Sequence, residues 1–320
     1  MYQSKDKTFE TLNDYFDYIA ETLDFPRVHE YFESDTVISD GIKIHVDVFE
    51  YDKHAPTIVF IPGTAIYGLC YGELLYKLGQ HGYNIVSLDP RGHGRSEGLR
   101  GDYTISEIMS DASHVITYAI NRFNSKVNLM GSSQGGIVAF YMAAKDERLN
   151  SVICQNFADL TSEDTLQLAR HPRLFKYMKG MIAKYGHKLP NIQIPVTSYI
   201  DLDKIPVKYF GSAKNFMESD PLALKTISLR ALKSLADTAM ARPVEEITVP
   251  VMVLQGTADS IFPVSYTQKI FDRIHSRKKF VQFPGKSHAV LHEDIDGVVP
   301  AITNWLQETY HVNFQHQLNA

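Results

Sequence analysis

A serine hydroxyl is a weak nucleophile: it needs a base to take its proton and a carboxylate to hold that base. Ser133 sits in a setting suited to that role, at the centre of Gly131-Ser132-Ser133-Gln134-Gly135, between the apolar runs KVNLM and GIVAFYMAAK. This spacing predicts a strand, a sharp turn and a helix, a G-x-S-x-G context that lifts the serine above a sheet. The glycines leave room for the turn, and the helix N-terminus favours negative charge beside the hydroxyl. Read alone, the segment could be a Ser/Gly turn without chemistry. Asp259 in QGTADSIFP and His288 in FPGKSHAVLHE change the balance, because each follows a predicted strand, in the order serine, acid, histidine. Asp159, just past SVICQNF, is a rival acid, and His292 is a rival histidine that reads as a helix-start residue. His81 and His93 fall outside the expected position and read as surface or loop-bracing residues. The chemistry implied is acyl transfer, which requires two N–H donors for the oxyanion. Gln134 supplies one from its backbone, and Thr64 in Pro62-Gly63-Thr64-Ala65 is the expected source of the other.

These residues need a scaffold of buried strands. TIVFIPG, YNIVSLDPRG, KVNLMGS and SVICQNF are short apolar runs rich in β-branched residues, as in a parallel sheet covered on both faces. Helical patterns separate them. Thr104 and Glu107 have capping-box spacing, and Ile108, Ala112, Val115, Ile116, Ala119 and Phe123 fall on one helical face. Ahead of the first run, alternating residues flank Asp40-Gly41, which predicts an antiparallel hairpin. Phe9, Leu12, Tyr15, Phe16, Ile19 and Leu23 predict one amphipathic helix. The alternation stops near residue 160 and resumes at VPVMVLQG, KKFVQFPG and a last helix through Trp305. The expected organisation is a helical extension over 1–30, a doubly wound α/β core over 31–160 and 247–320, and an inserted helical lid over 161–246.

With 320 residues, 44% hydrophobic and 22% charged, the chain has the composition of an ordinary globular protein. A net charge of -5 gives no reason to expect nucleic acid as a partner. The apolar runs are too short for a membrane-spanning helix, and the polar N-terminus lacks a signal-peptide pattern, so a cytoplasmic location is expected. Cys70 and Cys154 are too few for a disulfide framework and read as packing residues. No zinc-type spacing occurs, and the expected chemistry needs no metal or organic cofactor.

The run Asp89-Pro90-Arg91-Gly92-His93-Gly94-Arg95-Ser96-Glu97-Gly98, followed by Leu99-Arg100-Gly101, resembles the DxRGHGxSxGxRG signature of monoacylglycerol lipases and lysophospholipases in the α/β-hydrolase superfamily. With GSSQGG, GTADSI and GKSH, the resemblance spans roughly residues 40–310. It implies an α/β-hydrolase fold and a serine hydrolase acting on monoacylglycerol- or lysophospholipid-like esters. One departure is Pro62-Gly63, where that branch usually has His-Gly.

The insertion carries 13 Lys and Arg against 9 Asp and Glu, a net +4. Within it Leu174, Phe175, Met178, Met181, Ile182 and Tyr185 share one helical face, away from Lys176, Lys179 and Lys184. Such a helix is expected to cover the site as a lid, with transient contact at a lipid interface as the alternative. The same triad could also serve a thioesterase, a carbon–carbon hydrolase or an aminopeptidase. An aminopeptidase would need a lid carboxylate such as Glu163, Asp164 or Glu218. A non-catalytic ligand-binding protein on this fold is the remaining reading, and keeping all three triad residues argues against it. Oligomeric state is not legible.

Overall fold

The structure is a computed structural model that describes residues 2–4, 7–24, 26–170, 173, 180 and 192–318, with side chains as far as 310. A two-residue pairing of β1 (Tyr2–Gln3) with β2 (Thr8–Phe9) leads into α1 (Leu12–Leu23). Thr11 caps α1 reciprocally with Asp14, and Leu12, Tyr15, Phe16 and Ile19 are its buried face. Next come β3 (Glu33–Ser39) and β4 (Ile42–Phe49), joined at Ser39↔Ile42. Asp40 and Gly41 both have positive φ, 51° and 82°, the two-residue turn whose twist suits a hairpin.

The core alternates β5 (Thr57–Ile61), α2 (Gly72–Gln80), β6 (Asn84–Leu88), α3 (Ile105–Arg122), β7 (Val127–Ser132), α4 (Gln134–Ala143) and β8 (Ser151–Gln155). After the insertion, which holds β9 (Gln193–Pro195) and β10 (Thr226–Ser228), come β11 (Val251–Gly256) and β12 (Lys278–Phe283). The eight-stranded sheet runs β12-β11-β8-β7-β5-β6-β4-β3. It is parallel from β12 to β6, and antiparallel where β4 joins β6 and β3 joins β4. This is the α/β-hydrolase architecture that the sequence implies.

Every residue of β5, β6, β7, β8 and β11 is buried. Because side chains alternate across a strand, Ile58, Phe60, Met130, Ile153 and Met252 enter one apolar cluster while Val59, Ile61, Leu129, Val152 and Val253 enter another. α1 and α2 close the first cluster, and α3 and α4 close the second. The capping box of α3 is half made. Thr104 accepts from the Glu107 N–H, but the Glu107 carboxylate turns to the Thr104 hydroxyl and to Arg230 of the insertion, 2.8 Å away.

The insertion over residues 161–246 is described in part. Its described part contains short 3-10 turns, the antiparallel pair β9–β10 and two helices, Ala213–Ser219 and Leu229–Asp237. The basic amphipathic stretch, including Leu174, Phe175, Lys176, Met178, Lys179, Met181, Ile182, Lys184 and Tyr185, lies outside the described residues.

Candidate active site

Ser133 occupies the junction between β7 and α4 with φ 52° and ψ -114°. A non-glycine residue held there costs about 1–3 kcal/mol and needs close support. The support is visible: the Ser133 N–H donates to the Gln155 carbonyl at 2.8 Å, and the Ser133 carbonyl accepts from Ile137 at 3.0 Å. The flanking glycines are needed for space. A Cβ on Gly131 would lie 2.0 Å from the Gly135 carbonyl oxygen, and one on Gly135 would lie 2.2 Å from that of Ile61.

The two other expected residues meet Ser133 at the carboxyl ends of the strands. His288 Nε2 is 3.0 Å from Ser133 Oγ, and His288 Nδ1 is 2.9 Å from Asp259 Oδ2. A proton on Nδ1 facing the carboxylate leaves the Nε2 lone pair for the serine hydroxyl. Phe262 stacks on the His288 ring at 5.6 Å with an interplanar angle of 5°. Burial alone would raise the Asp259 pKa. The facing His288, with the N–H groups of Phe262 and Ile261, outweighs that and holds the carboxyl below its ordinary value. An ionised carboxylate therefore stands behind the histidine at neutral pH.

Gln134 opens α4, where a first-turn N–H has no intrahelical acceptor. Its side chain is occupied elsewhere, since Oε1 accepts from Tyr103 Oη at 2.9 Å and Thr64 Oγ1 at 3.2 Å. These bonds tie the loop carrying Thr64 to the helix start, beside Ser133.

The rivals lie apart. Asp159 accepts from Thr161 and faces Arg273 at 3.7 Å. His292 packs against Tyr71 with ring centroids 4.5 Å apart and tilted by 33°, and lines the cavity; burial lowers its pKa to about 4, so it is neutral near pH 7. His81 ends α2, whereas His93 is buried against Tyr103 with Nδ1 3.0 Å from the Arg91 carbonyl. Cys154 is core, and Cys70 lines the cavity with its thiol pushed up by burial.

The residues of the Asp89–Gly101 run line neither cavity at Ser133; they build the loop behind it. Asp89 accepts from the N–H groups of Gly68 and Arg95 at 2.8 and 2.9 Å. Arg91 grips Asp111 through Nε and Nη2. Gly94 has φ 46°, and a Cβ there would lie 2.2 Å from Asp89 Oδ2.

Two supporting amides were not anticipated. Asn156, with φ 63°, donates from Nδ2 to Asp259 Oδ2 at 2.8 Å. Gln155 donates to the His288 carbonyl at 3.0 Å and accepts from Ser132, which in turn accepts from Tyr71. The available signal was their position: adjacent amides closing the apolar run SVICQNF.

Two clefts meet at Ser133, sharing Thr64, Ser133, Ile200 and Ile261. The larger spans about 1190 Å³ and the smaller, more open one about 790 Å³, each including space open to solvent. Both walls are mainly apolar. Among the described residues, Glu163, Asp164 and Glu218 line neither, and Asp164 pairs with Lys269. No helix of the described residues is long and apolar enough to cross a membrane.

Comparison with known proteins extends this picture. The pattern of the family described as serine aminopeptidase, S33, matches residues 52–295. A monoacylglycerol lipase of Mycolicibacterium smegmatis is 25% identical over 83% of this chain and 93% of its own. A non-heme chloroperoxidase of Burkholderia pyrrocinia is 23% identical over 79% of this chain and 94% of its own. The crystal structure of Paleococcus ferrophilus monoacylglycerol lipase superposes with a TM-score of 0.68 at 24% identity, covering 83% of this chain and 99% of that one.

Proposed function

The chain belongs to the serine aminopeptidase, S33, family of α/β hydrolases, and from that premise we propose that it cleaves carboxylic esters through an acyl-enzyme on Ser133. The observation that carries the reading is the contact of Ser133 Oγ with His288 Nε2 at 3.0 Å, backed by Asp259 at 2.9 Å. His288 takes the hydroxyl proton as Ser133 attacks the ester carbonyl. The Thr64 and Gln134 N–H groups stabilise the oxyanion, and Asp259 stabilises the imidazolium. His288 then gives the proton to the departing alcohol. A water molecule, deprotonated by His288, attacks the acyl-enzyme and releases the acid, restoring Ser133.

The substrate class is a lipid ester of the monoacylglycerol or lysophospholipid kind, for which two supports exist. One is the apolar lining of both clefts; the other is the likeness to monoacylglycerol lipases. A peptidase reading would need a carboxylate free to hold the substrate amine. Asp220 and Glu73 line the larger cleft, but Asp220 is already bonded to Tyr15, Tyr67 and two backbone N–H groups, and Glu73 is paired with Lys208. Residues 161–246 serve as the cap over these clefts.

Hydrolysis of p-nitrophenyl esters of increasing length and of 1-monoacylglycerols tests the reading. Ser133→Ala is expected to lower turnover by about 10⁴-fold or more. Equal turnover by both proteins, or none by either, contradicts it. Turnover of aryl esters without monoacylglycerols removes the lipid class and keeps the esterase.

A further inference from the structure

The larger cleft runs from Ser133 and His288 to the N-terminal helix: Phe16 and Ile19 of α1 are part of its wall. A twelve-residue helix is marginal alone, so α1 depends on what it docks against. The docking is specific. Tyr15 and Tyr67 each donate to Asp220 Oδ2 at 2.8 Å, and Leu222 and Ala223 N–H groups donate to Oδ1 at 2.8 and 2.9 Å. One buried carboxylate thus joins α1, the loop after β5 and the insertion. On its other side α1 borders a second, more polar groove, and Ile19, Tyr209 and Phe210 line both. These three side chains form a partition between the cleft and an outer groove.

We propose that α1 is the end wall of the acyl-binding cleft, so that Phe16 and Ile19 set the longest acyl chain the enzyme accepts. The inference rests on the ester-hydrolase reading above. The acyl arm is assigned to this cleft on chemical grounds. The alcohol leaves before water attacks, so its arm belongs in the more open cleft; the acyl group stays bonded to Ser133 through both steps and can occupy a closed one. Each methylene that enters the apolar cleft raises kcat/KM by about fourfold, until the chain meets α1.

The test is kcat/KM for p-nitrophenyl alkanoates from two to sixteen carbons, with alkyl butyrates of increasing alcohol length alongside. The wild-type acyl profile is expected to rise and then break. Phe16→Ala moves the break to longer chains, favouring the first chain past it about tenfold over one two carbons shorter. Ile19→Phe moves the break to shorter chains. Opposite shifts on the two sides of wild type are a readout that general destabilisation does not produce, even if Phe16→Ala folds poorly. An acyl profile unchanged in both variants, or re-ranking only of the alkyl butyrates, overturns the end-wall assignment while the hydrolase reading stands. A wild-type enzyme inert toward every ester overturns both.

Discussion

The strand ends that carry Ser133, Asp259 and His288 and the walls that surround them are built on different principles. At the strand ends each side chain is held by the sheet and by adjacent backbone: Ser133 through Gln155 and Ile137, Asp259 through Ile261 and Phe262. The walls come from residues far apart in sequence, the N-terminal α1 and the 161–246 insertion, joined through Asp220. Reaction type is thereby separated from substrate choice. On the proposed reading, the chemistry sits at the strand ends, and the cleft is shaped by elements packed against the sheet from elsewhere in the chain.

That contrast can be broken experimentally. The largest effect is expected at the strand ends: Asp259→Asn lowers kcat by about 10⁴-fold, by a similar factor for every acyl length, because the wrong imidazole tautomer is then favoured. Asp159→Asn, at the rival acid, stays within about tenfold of wild type. A chain-length-dependent loss in Asp259→Asn would mean that the two regions are not separable. Wall substitutions at Phe16 and Ile19 act in the complementary way, re-ranking chain lengths by about tenfold.

A smaller effect concerns the loop behind the site. His93 is buried and its pKa is lowered to about 4, first by burial. An unfolded histidine titrates near 6.5, so between these values the unfolded chain binds the proton and the folded chain does not. Stability is therefore full above about pH 6.5 and falls as the pH drops toward 4, by on the order of 3 kcal/mol from His93. Asp259, with its lowered pKa, adds a loss only below the ordinary carboxylate range. His292, whose pKa burial also lowers to about 4, adds a similar loss in the same range as His93. Urea midpoints at pH 7 and 4.5 measure the sum, and His93→Asn is expected to remove about half of the slope. An unchanged slope would assign the acid sensitivity to other groups.

How much was legible follows the same division. Ser133, Asp259 and His288 could be read because residue type, chain order and position after an apolar run all pointed the same way. The hairpin at Asp40-Gly41 was legible from a two-residue turn that few other sequences favour. The role of α1 was not, since the period of Leu12, Tyr15, Phe16 and Ile19 says that a face is buried but not against what. The Glu107 carboxylate left its capping role because Arg230, 123 residues away, approaches it. Asn156 and Gln155 act through neighbours contributed by later strands, which no local pattern reports.

The most direct test of Ser133 as an activated nucleophile is covalent trapping with a fluorophosphonate, followed by mass spectrometry of the intact protein and its peptides. One adduct per chain, on the peptide containing Ser133 and absent in His288→Ala, is the expected result. An unlabelled wild-type protein, or a label on another residue, would contradict it.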